Sequence, residues 1–272
     1  MRGTLGLWAR TTHHCLEDLG LQPLRLLGLR GLPAYIKDLA TYRKLRRHLP
    51  DATNAALQLA PLFSDRYAGA GAGRSLYFLQ DLLCSSRILS RPSLRHLDIG
   101  SRIDGFVAQI AASRTIDVLD IRPLERPPTP NLHFLQGDIL DPPEDLERQY
   151  HLVSSLHALE HVGLGRYGDP IAPDGFERAL ANTAAFVAPG GHLMISLPVA
   201  EMERNLVQFN SQRLFSHARL AELLNRLLPG FTATWSFVID EARTPRQRSG
   251  DPAPLLEAFR GFGLCGVELR RR

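Results

Sequence analysis

The side chains best equipped for chemistry are concentrated between Ser155 and Pro170, which offers His157, Glu160, His161, Arg166, Tyr167 and Asp169. An imidazole oriented by a carboxylate is a common device for taking a proton from an alcohol. His161 or His157 is therefore the expected general base, with Glu160 or Asp169 orienting it. Arg166 and Tyr167 are the expected contacts to the group that loses the proton. A purely supporting role, in which Glu160 and His161 cap or brace a nearby helix, stays open. Further on, Asn210 and Arg213 are candidates to hold a sugar or phosphate, with capping of a helix near Phe215 as the alternative.

Three acids upstream complete the set. Arg95 to Ile99 reads as a short buried strand ending near Asp98, followed by a turn at Gly100 and the start of a helix at about Phe106. Such a turn points backbone N–H groups and a helix N-terminus at a ligand. About twenty residues on, a second strand ends at Asp120, the usual position for an acid that holds ribose hydroxyls. A third strand is followed by Asp138, placed to meet an adenine amino group or simply to close a turn. The turn departs from G-x-G-x-x-G, because Arg102 stands where the middle glycine belongs, and no Gly-Lys-Ser/Thr phosphate loop follows.

His157-x-x-Glu160-His161 also spells the H-x-x-E-H pattern of some zinc peptidases. Here it follows a predicted strand, glycines come at 163, 165 and 168, and no third ligand stands out. No metal is therefore expected.

These residues need a scaffold, and the chain supplies one. With 272 residues, 44% hydrophobic and 22% charged, it has the composition of a soluble globular protein. No apolar run approaches the roughly 20 residues that span a bilayer, and no signal peptide is evident. Cys15, Cys84 and Cys265 are widely separated, which suits a reducing cytoplasm rather than a disulfide framework. The net charge of +4 is uneven: residues 1–50 hold nine Lys/Arg against three Asp/Glu.

Residues 16–48 read as two helical pieces broken at Gly31 and Pro33. The second, Pro33 to Leu49, is expected to be amphipathic, either packing on the domain or lying on the inner membrane surface. Residues 51–74, ending in a Gly-Ala run, read as a flexible boundary. A helix capped by Ser75 precedes the first strand, and its Tyr77, Gln80 and Asp81 could reach a ligand. Further strands are expected at 132–135, 151–155, 192–198, 232–239 and 263–269. Helices are expected at about 175–187 and 214–228, a sharp stop at Ala188 to Gly191, and a mobile loop at 241–252. The prediction is an α/β fold: a doubly wound, seven-stranded, mostly parallel sheet over residues 75–272, with a basic helical extension over residues 1–74.

With these residues in place, the chain resembles the class I S-adenosylmethionine-dependent methyltransferases. Asp98-Ile-Gly-Ser is similar to their first motif, Asp120 and Asp138 fall where they bind ribose and adenine, and Ala188-Pro-Gly-Gly191 precedes a strand as theirs does. The resemblance implies S-adenosyl-L-methionine held by Asp98, Gly100, Ser101, Arg102, Asp120, Ile121, Asp138, Ile139 and Ser155. The segments Tyr77 to Asp81, Leu97 to Phe106, Leu156 to His161, Gly163 to Pro170 and Phe209-Asn210 further resemble an uncharacterised bacterial family of the DUF268 kind, associated with surface-polysaccharide biosynthesis. That implies a sugar acceptor, free or carrier-linked, in the cytoplasm or at the inner membrane. The alternative is a non-catalytic nucleoside- or glycan-binding protein of the same fold. A nucleic-acid substrate is not expected, because the Asn/Asp-Pro-Pro-Tyr/Phe string is missing and basic charge is not spread over the core.

Overall fold

The computed structural model describes residues 29–46, 57–59, 61, 75–92, 94–143, 146 and 149–272. The chain divides into two units, residues 1–72 and 73–272. In the first, helix α1 spans Leu32–Arg46. Arg43 lies four and seven residues after Leu39 and Ile36, so a cation shares their face. The expected separation of apolar and basic faces is therefore not met. Most of the first predicted helical piece and most of the predicted flexible boundary lie outside the described residues.

The second unit opens with helix α2 (Leu76–Leu89), capped by the Ser75 hydroxyl, which accepts the Phe78 N–H. At its other end the Arg114 guanidinium donates to the carbonyls of Ile88 and Leu89, groups that a helix terminus leaves unpaired. Strand β1 (His96–Ile99) then leads through a π-helical turn (Ile103–Val107) into α3 (Ala108–Ala111). Next come β2 (Ile116–Asp120), β3 (Leu132–Gln136), β4 (Tyr150–Leu156), a 3₁₀ turn (Leu159–His161) and α4 (Gly175–Ala185). The chain continues through β5 (Val187–Ala200), β6 (Leu206–Gln208), β7 (Gln212–Ser216), α5 (Leu220–Leu227) and β8 (Phe231–Ile239). It closes with β9 (Pro245–Ser249), α6 (Ala253–Glu257) and β10 (Phe262–Arg271).

The sheet runs in the order β3-β2-β1-β4-β5-β10-β8-β9. Pairings from β3 through to β5 are parallel, whereas β10 is antiparallel to both β5 and β8. Strand order reverses between β1 and β4, and a ligand crevice is expected beyond the carboxyl ends at such a reversal. The two faces carry separate cores. Phe176 and Leu180 of α4 and Leu224 of α5 pack with Leu97, Ile99 and Ile195 on one face. Cys84 and Ile88 of α2 and Ile110 of α3 pack with Val118, Met194 and Phe237 on the other. This is the doubly wound arrangement that alternating strands and helices predict.

Three local expectations are corrected. The sheet has ten strands among the described residues rather than seven, because β6, β7 and β9 are added. Leu214 to Ser216 belong to β7 and not to a helix, since β7 pairs with β5 through Val199–Phe215 and Ala200–Ser216. Five of the twelve residues of the loop predicted at 241–252 form β9, which pairs along β8 from Trp235–Ser249 to Ile239–Pro245. Ala188 to Gly191, read as a stop, does follow the end of α4 at Ala185, and within β5 it is a bulge between Val187 and His192, the residues that pair with β4. In the three corrected cases backbone pairing with a neighbouring strand overrides a local turn or helix signal.

Candidate functional site

A cleft of about 350 Å³ opens at the carboxyl ends of β1, β2 and β4. Gly100, Ser101 and Arg102 line it from the first turn, Asp120 and Ile121 from β2, and Asp138 and Ile139 from beyond β3. Tyr77, Gln80 and Asp81 line it from α2, and His157, His161, Arg166, Tyr167 and Asp169 from beyond β4. Most of the expected site residues are thus brought together.

Asp98 and Ser155 do not line the cleft. Asp98 is fully buried and turned inward. Its carboxylate accepts the Ser101 N–H at 3.0 Å, the Ser101 hydroxyl at 2.8 Å and the Ser154 hydroxyl. The Ser101 oxygen in turn accepts the Leu156 N–H at 2.9 Å, so Asp98 ties the glycine turn to β4. Burial pushes its carboxyl up to about 7. His96 donates to the Ser154 oxygen at 2.8 Å, and burial pushes its pKa down to about 3, so it is neutral. The Ser155 hydroxyl donates to the Ile99 carbonyl at 2.8 Å. Both residues shape the turn rather than face a ligand.

The Asp120 carboxylate does reach the cleft, but Arg122 covers it. The Arg122 backbone N–H and Nε donate to Oδ1 at 2.8 and 3.0 Å. Nε and Nη2 also donate to Oδ2. Arg122 further donates to the Gly100 carbonyl at 3.2 Å and stacks 4.9 Å from the centre of the Tyr167 ring. Arg122 is not among the residues expected at the site; its signal in the sequence is an arginine two residues after the acid that ends a strand. Asp138 accepts the Leu140 N–H through Oδ1 at 2.8 Å.

Beyond β4 the residues sort into one oriented imidazole and its supports. His157 Nδ1 lies 2.6 Å from Glu160 Oε1, and Glu160 is fully buried behind it. Burial opposes the charge on Glu160, but His157 and His161 outweigh it and hold its carboxyl below the usual value. A carboxylate only accepts, so Nδ1 of His157 donates to Glu160 and Nε2 is the nitrogen left for a substrate. The backbone of His157 is left-handed, with φ 53°, a conformation costly for a residue with a Cβ and met most often at functional sites. It is pinned there by its N–H, which donates to the Ser196 carbonyl and hydroxyl oxygens, both at 3.2 Å. The Ser196 hydroxyl donates to Gln80, which donates to Asp81 at 3.1 Å, joining α2, β5 and the base candidate.

His161 differs. Its Nδ1 donates to the Ser211 carbonyl at 2.6 Å, and burial holds its pKa below the ordinary value. His157 and His161 do not sit one turn apart on a helix, because His161 closes the short 3₁₀ turn. Among the described residues no group of three or more His, Cys, Asp or Glu is arranged around a metal position.

Asp169 orients neither histidine. Its Oδ2 accepts the N–H groups of Gly163, Leu164 and Gly165, at 2.7, 3.1 and 3.2 Å, and its Oδ1 that of Tyr167 at 3.1 Å. The loop curls around this carboxylate with positive φ at Gly163, Gly165 and Gly168. At Gly163 a Cβ would stand 2.1 Å from the Ala172 carbonyl oxygen. The Gly-Leu-Gly-Arg-Tyr-Gly-Asp string therefore builds a backbone nest around an acid. Arg213 is not a substrate contact either. It is buried, and its guanidinium donates to the carbonyls of Glu160, Val162, Ala172 and Pro173. Asn210 sits with φ 61° in the turn between β6 and β7, away from the cleft lining.

Residues 135–246 match a family model described as "Caenorhabditis protein of unknown function, DUF268". That description carries no activity and no link to polysaccharides. No curated protein matches the chain. Among solved structures, one described as the [4+2]-cyclase SpnF superposes with a TM-score of 0.51 at 16% identity, over 71% of this chain and 79% of that one. A Burkholderia thailandensis 1,6-didemethyltoxoflavin-N1-methyltransferase, with 1,6-didemethyltoxoflavin and S-adenosylhomocysteine bound, gives 0.48 at 20% identity, over 82% and 98%. The N-methyltransferase NodS of Bradyrhizobium japonicum WM9, in complex with S-adenosylhomocysteine, gives 0.46 at 15% identity, over 71% and 85%. The likeness to the first is one of fold, in agreement with the doubly wound sheet.

Proposed function

We propose that the chain is an S-adenosylmethionine-dependent methyltransferase that acts on a sugar or other small hydroxyl-bearing acceptor in glycan biosynthesis. One observation carries the reading. Acids at the ends of β2 and β3 share a cleft with His157, an imidazole whose far nitrogen is held by the buried Glu160. The glycan assignment is supported by the sequence resemblance alone.

The donor set suits the cofactor. Ile121 and Ile139 offer apolar walls for a purine, Asp138 has acceptor capacity left beyond Leu140, and Gln80 and Asp81 stand ready for an ammonium group. Asp120 suits a ribose once Arg122 moves off it. When bound, the cofactor supplies an electrophilic methyl group on a sulfonium. The chain's own work is to align the acceptor, exclude water and take its proton at His157 Nε2 while Glu160 stabilises the imidazolium. Positioned bases of this kind contribute roughly 10²–10⁴-fold.

Calorimetric titration with S-adenosylhomocysteine tests the reading. Micromolar binding that Asp138→Ala weakens at least tenfold would support it. A folded sample that binds none would overturn it. The occupied Asp120 favours a second reading, a binding protein of this fold. Such a protein would bind S-adenosylhomocysteine yet form none from S-adenosylmethionine with any of a panel of nucleotide sugars.

A further inference from the structure

We propose that the cleft accepts a substrate bearing an anionic group, phosphate or carboxylate, and that Arg122 is recruited to hold it when a ribose displaces it from Asp120. This rests on the nucleoside reading above.

The argument begins with Asp120. A carboxylate offers about four lone-pair positions. Arg122 already directs one backbone N–H and three side-chain contacts at them. A ribose diol that donates to Asp120 must displace that guanidinium. The side chain is free to leave, being 37% exposed against 5% for Asp120. The guanidinium already lies over the Tyr167 ring while it is paired with Asp120, so it can leave the carboxylate and stay at the cleft.

Arg166 stacks on the same ring, 5.1 Å from its centre. Its Nη1 faces the His161 ring and the Ser211 carbonyl. Among the described residues its Nε and Nη2 have no partner and no carboxylate pairs with it. Of the other charges, the carboxylates of Asp81 and Asp138 line the cofactor side of the cleft and, among the described residues, have no cation paired with them; those nearer Tyr167 are already satisfied. Arg102 pairs with Asp104 at 2.7 Å, and Asp169 is wrapped in backbone N–H groups. With Asp120 covered, one uncompensated guanidinium faces the cleft beside Tyr167; with Asp120 given to a ribose, two do. Planar guanidinium forks match phosphate and carboxylate oxygens in pairs. An anion held there shares the cleft with His157 and anchors the acceptor beside its base. Filling of the nucleoside site thus assembles the acceptor site.

Coupling of this kind is reciprocal. Inorganic phosphate is titrated calorimetrically into the full chain at fixed ionic strength, with and without saturating S-adenosylhomocysteine. The expected result is phosphate binding roughly tenfold tighter with the nucleoside present, and S-adenosylhomocysteine tightened by the same factor with phosphate. Arg122→Gln should bind S-adenosylhomocysteine at least as tightly as wild type, with phosphate affinity independent of it. Arg166→Gln should lose phosphate binding and keep the nucleoside. Acetate in place of phosphate separates the two anion classes, and coupling with either supports the proposal. Wild type that binds S-adenosylhomocysteine with unchanged affinity for both anions would overturn the proposal alone, as would coupling that survives Arg122→Gln. Wild type that binds no S-adenosylhomocysteine would overturn the nucleoside reading and the proposal with it.

Discussion

Replacing Asp98 with Asn should flatten a pH dependence that wild-type stability carries between about pH 5 and about pH 8. Asp98 lies wholly inside the protein, bonded to Ser101 and Ser154, and burial raises its carboxyl from an ordinary 3.8 to about 7. The folded state therefore holds this proton more tightly than the unfolded chain. The resulting stabilisation is complete below the ordinary value and is lost as pH rises through 7. Three units at about 1.4 kcal/mol each give ~4 kcal/mol in full, of which ~3 kcal/mol disappears between about pH 5 and pH 8. Asparagine has the same shape and does not titrate; it keeps one acceptor oxygen for these donors and puts an NH2 group in place of the other, a loss that does not vary with pH. Urea unfolding of both proteins at the two pH values is the assay. Taking the difference between them cancels the contributions of His96, Glu268 and every other shared group. That difference should change by ~3 kcal/mol, a relative midpoint shift on the order of 1 M. A difference that holds within about 0.5 kcal/mol across this range would refute the claim that Asp98 is the buried titrating group.

Glu268 on β10 is buried among Arg87, Arg91 and His192. Glu268→Ala should cost about 1.5–3 kcal/mol in urea unfolding, because it removes the carboxylate that Arg87 and Arg91, both partly exposed, donate to. Burial works against the charge on Glu268, but its three partners hold its carboxyl far below the usual range. Its stabilisation is accordingly present above the ordinary value of 4.5 and lost as pH falls below it, opposite in sense to Asp98. Gly163→Ala should destabilise by about 2 kcal/mol or more, from the clash with the Ala172 carbonyl and the positive φ together, and should weaken S-adenosylhomocysteine binding by deforming the loop. Glu160→Gln should leave nucleoside affinity within about twofold while lowering turnover roughly 100-fold. Equal losses in both would make Glu160 a support of the fold rather than of His157.

The parallel half of the sheet was legible because short buried strands bounded by Gly, Pro and Asp leave a period that sequence preserves. Asp120, Asp138 and His157 were legible because strand ends fix where a side chain emerges. What was not legible depends on partners far along the chain. Arg213 reads as a free cation until β7 pairs with the end of β5 and directs its guanidinium at four carbonyls. Asp169 reads as a partner for histidine until three left-handed glycines turn the backbone N–H groups onto it. Asp98 sits at a familiar position, yet its orientation is decided by Ser101 and Ser154, the second of them on a different strand. Arg122 was hidden by its chemistry, since an arginine near an acid is common and only geometry shows that it takes both oxygens.

The antiparallel strand β10 is synthesised after both of its neighbours, yet it pairs with β5 from Phe262–Ala200 to Arg270–His192 and with β8 along nearly its whole length. During translation, β5 and β8 must therefore wait with open, apolar edges, the kind of surface that recruits other chains. A nascent chain that ends before Phe262 has every residue that lines the cleft but no bridge between the two halves of the sheet. Messenger truncation or ribosome stalling over β10 should then yield an aggregation-prone product, and quality control would be where such damage is felt.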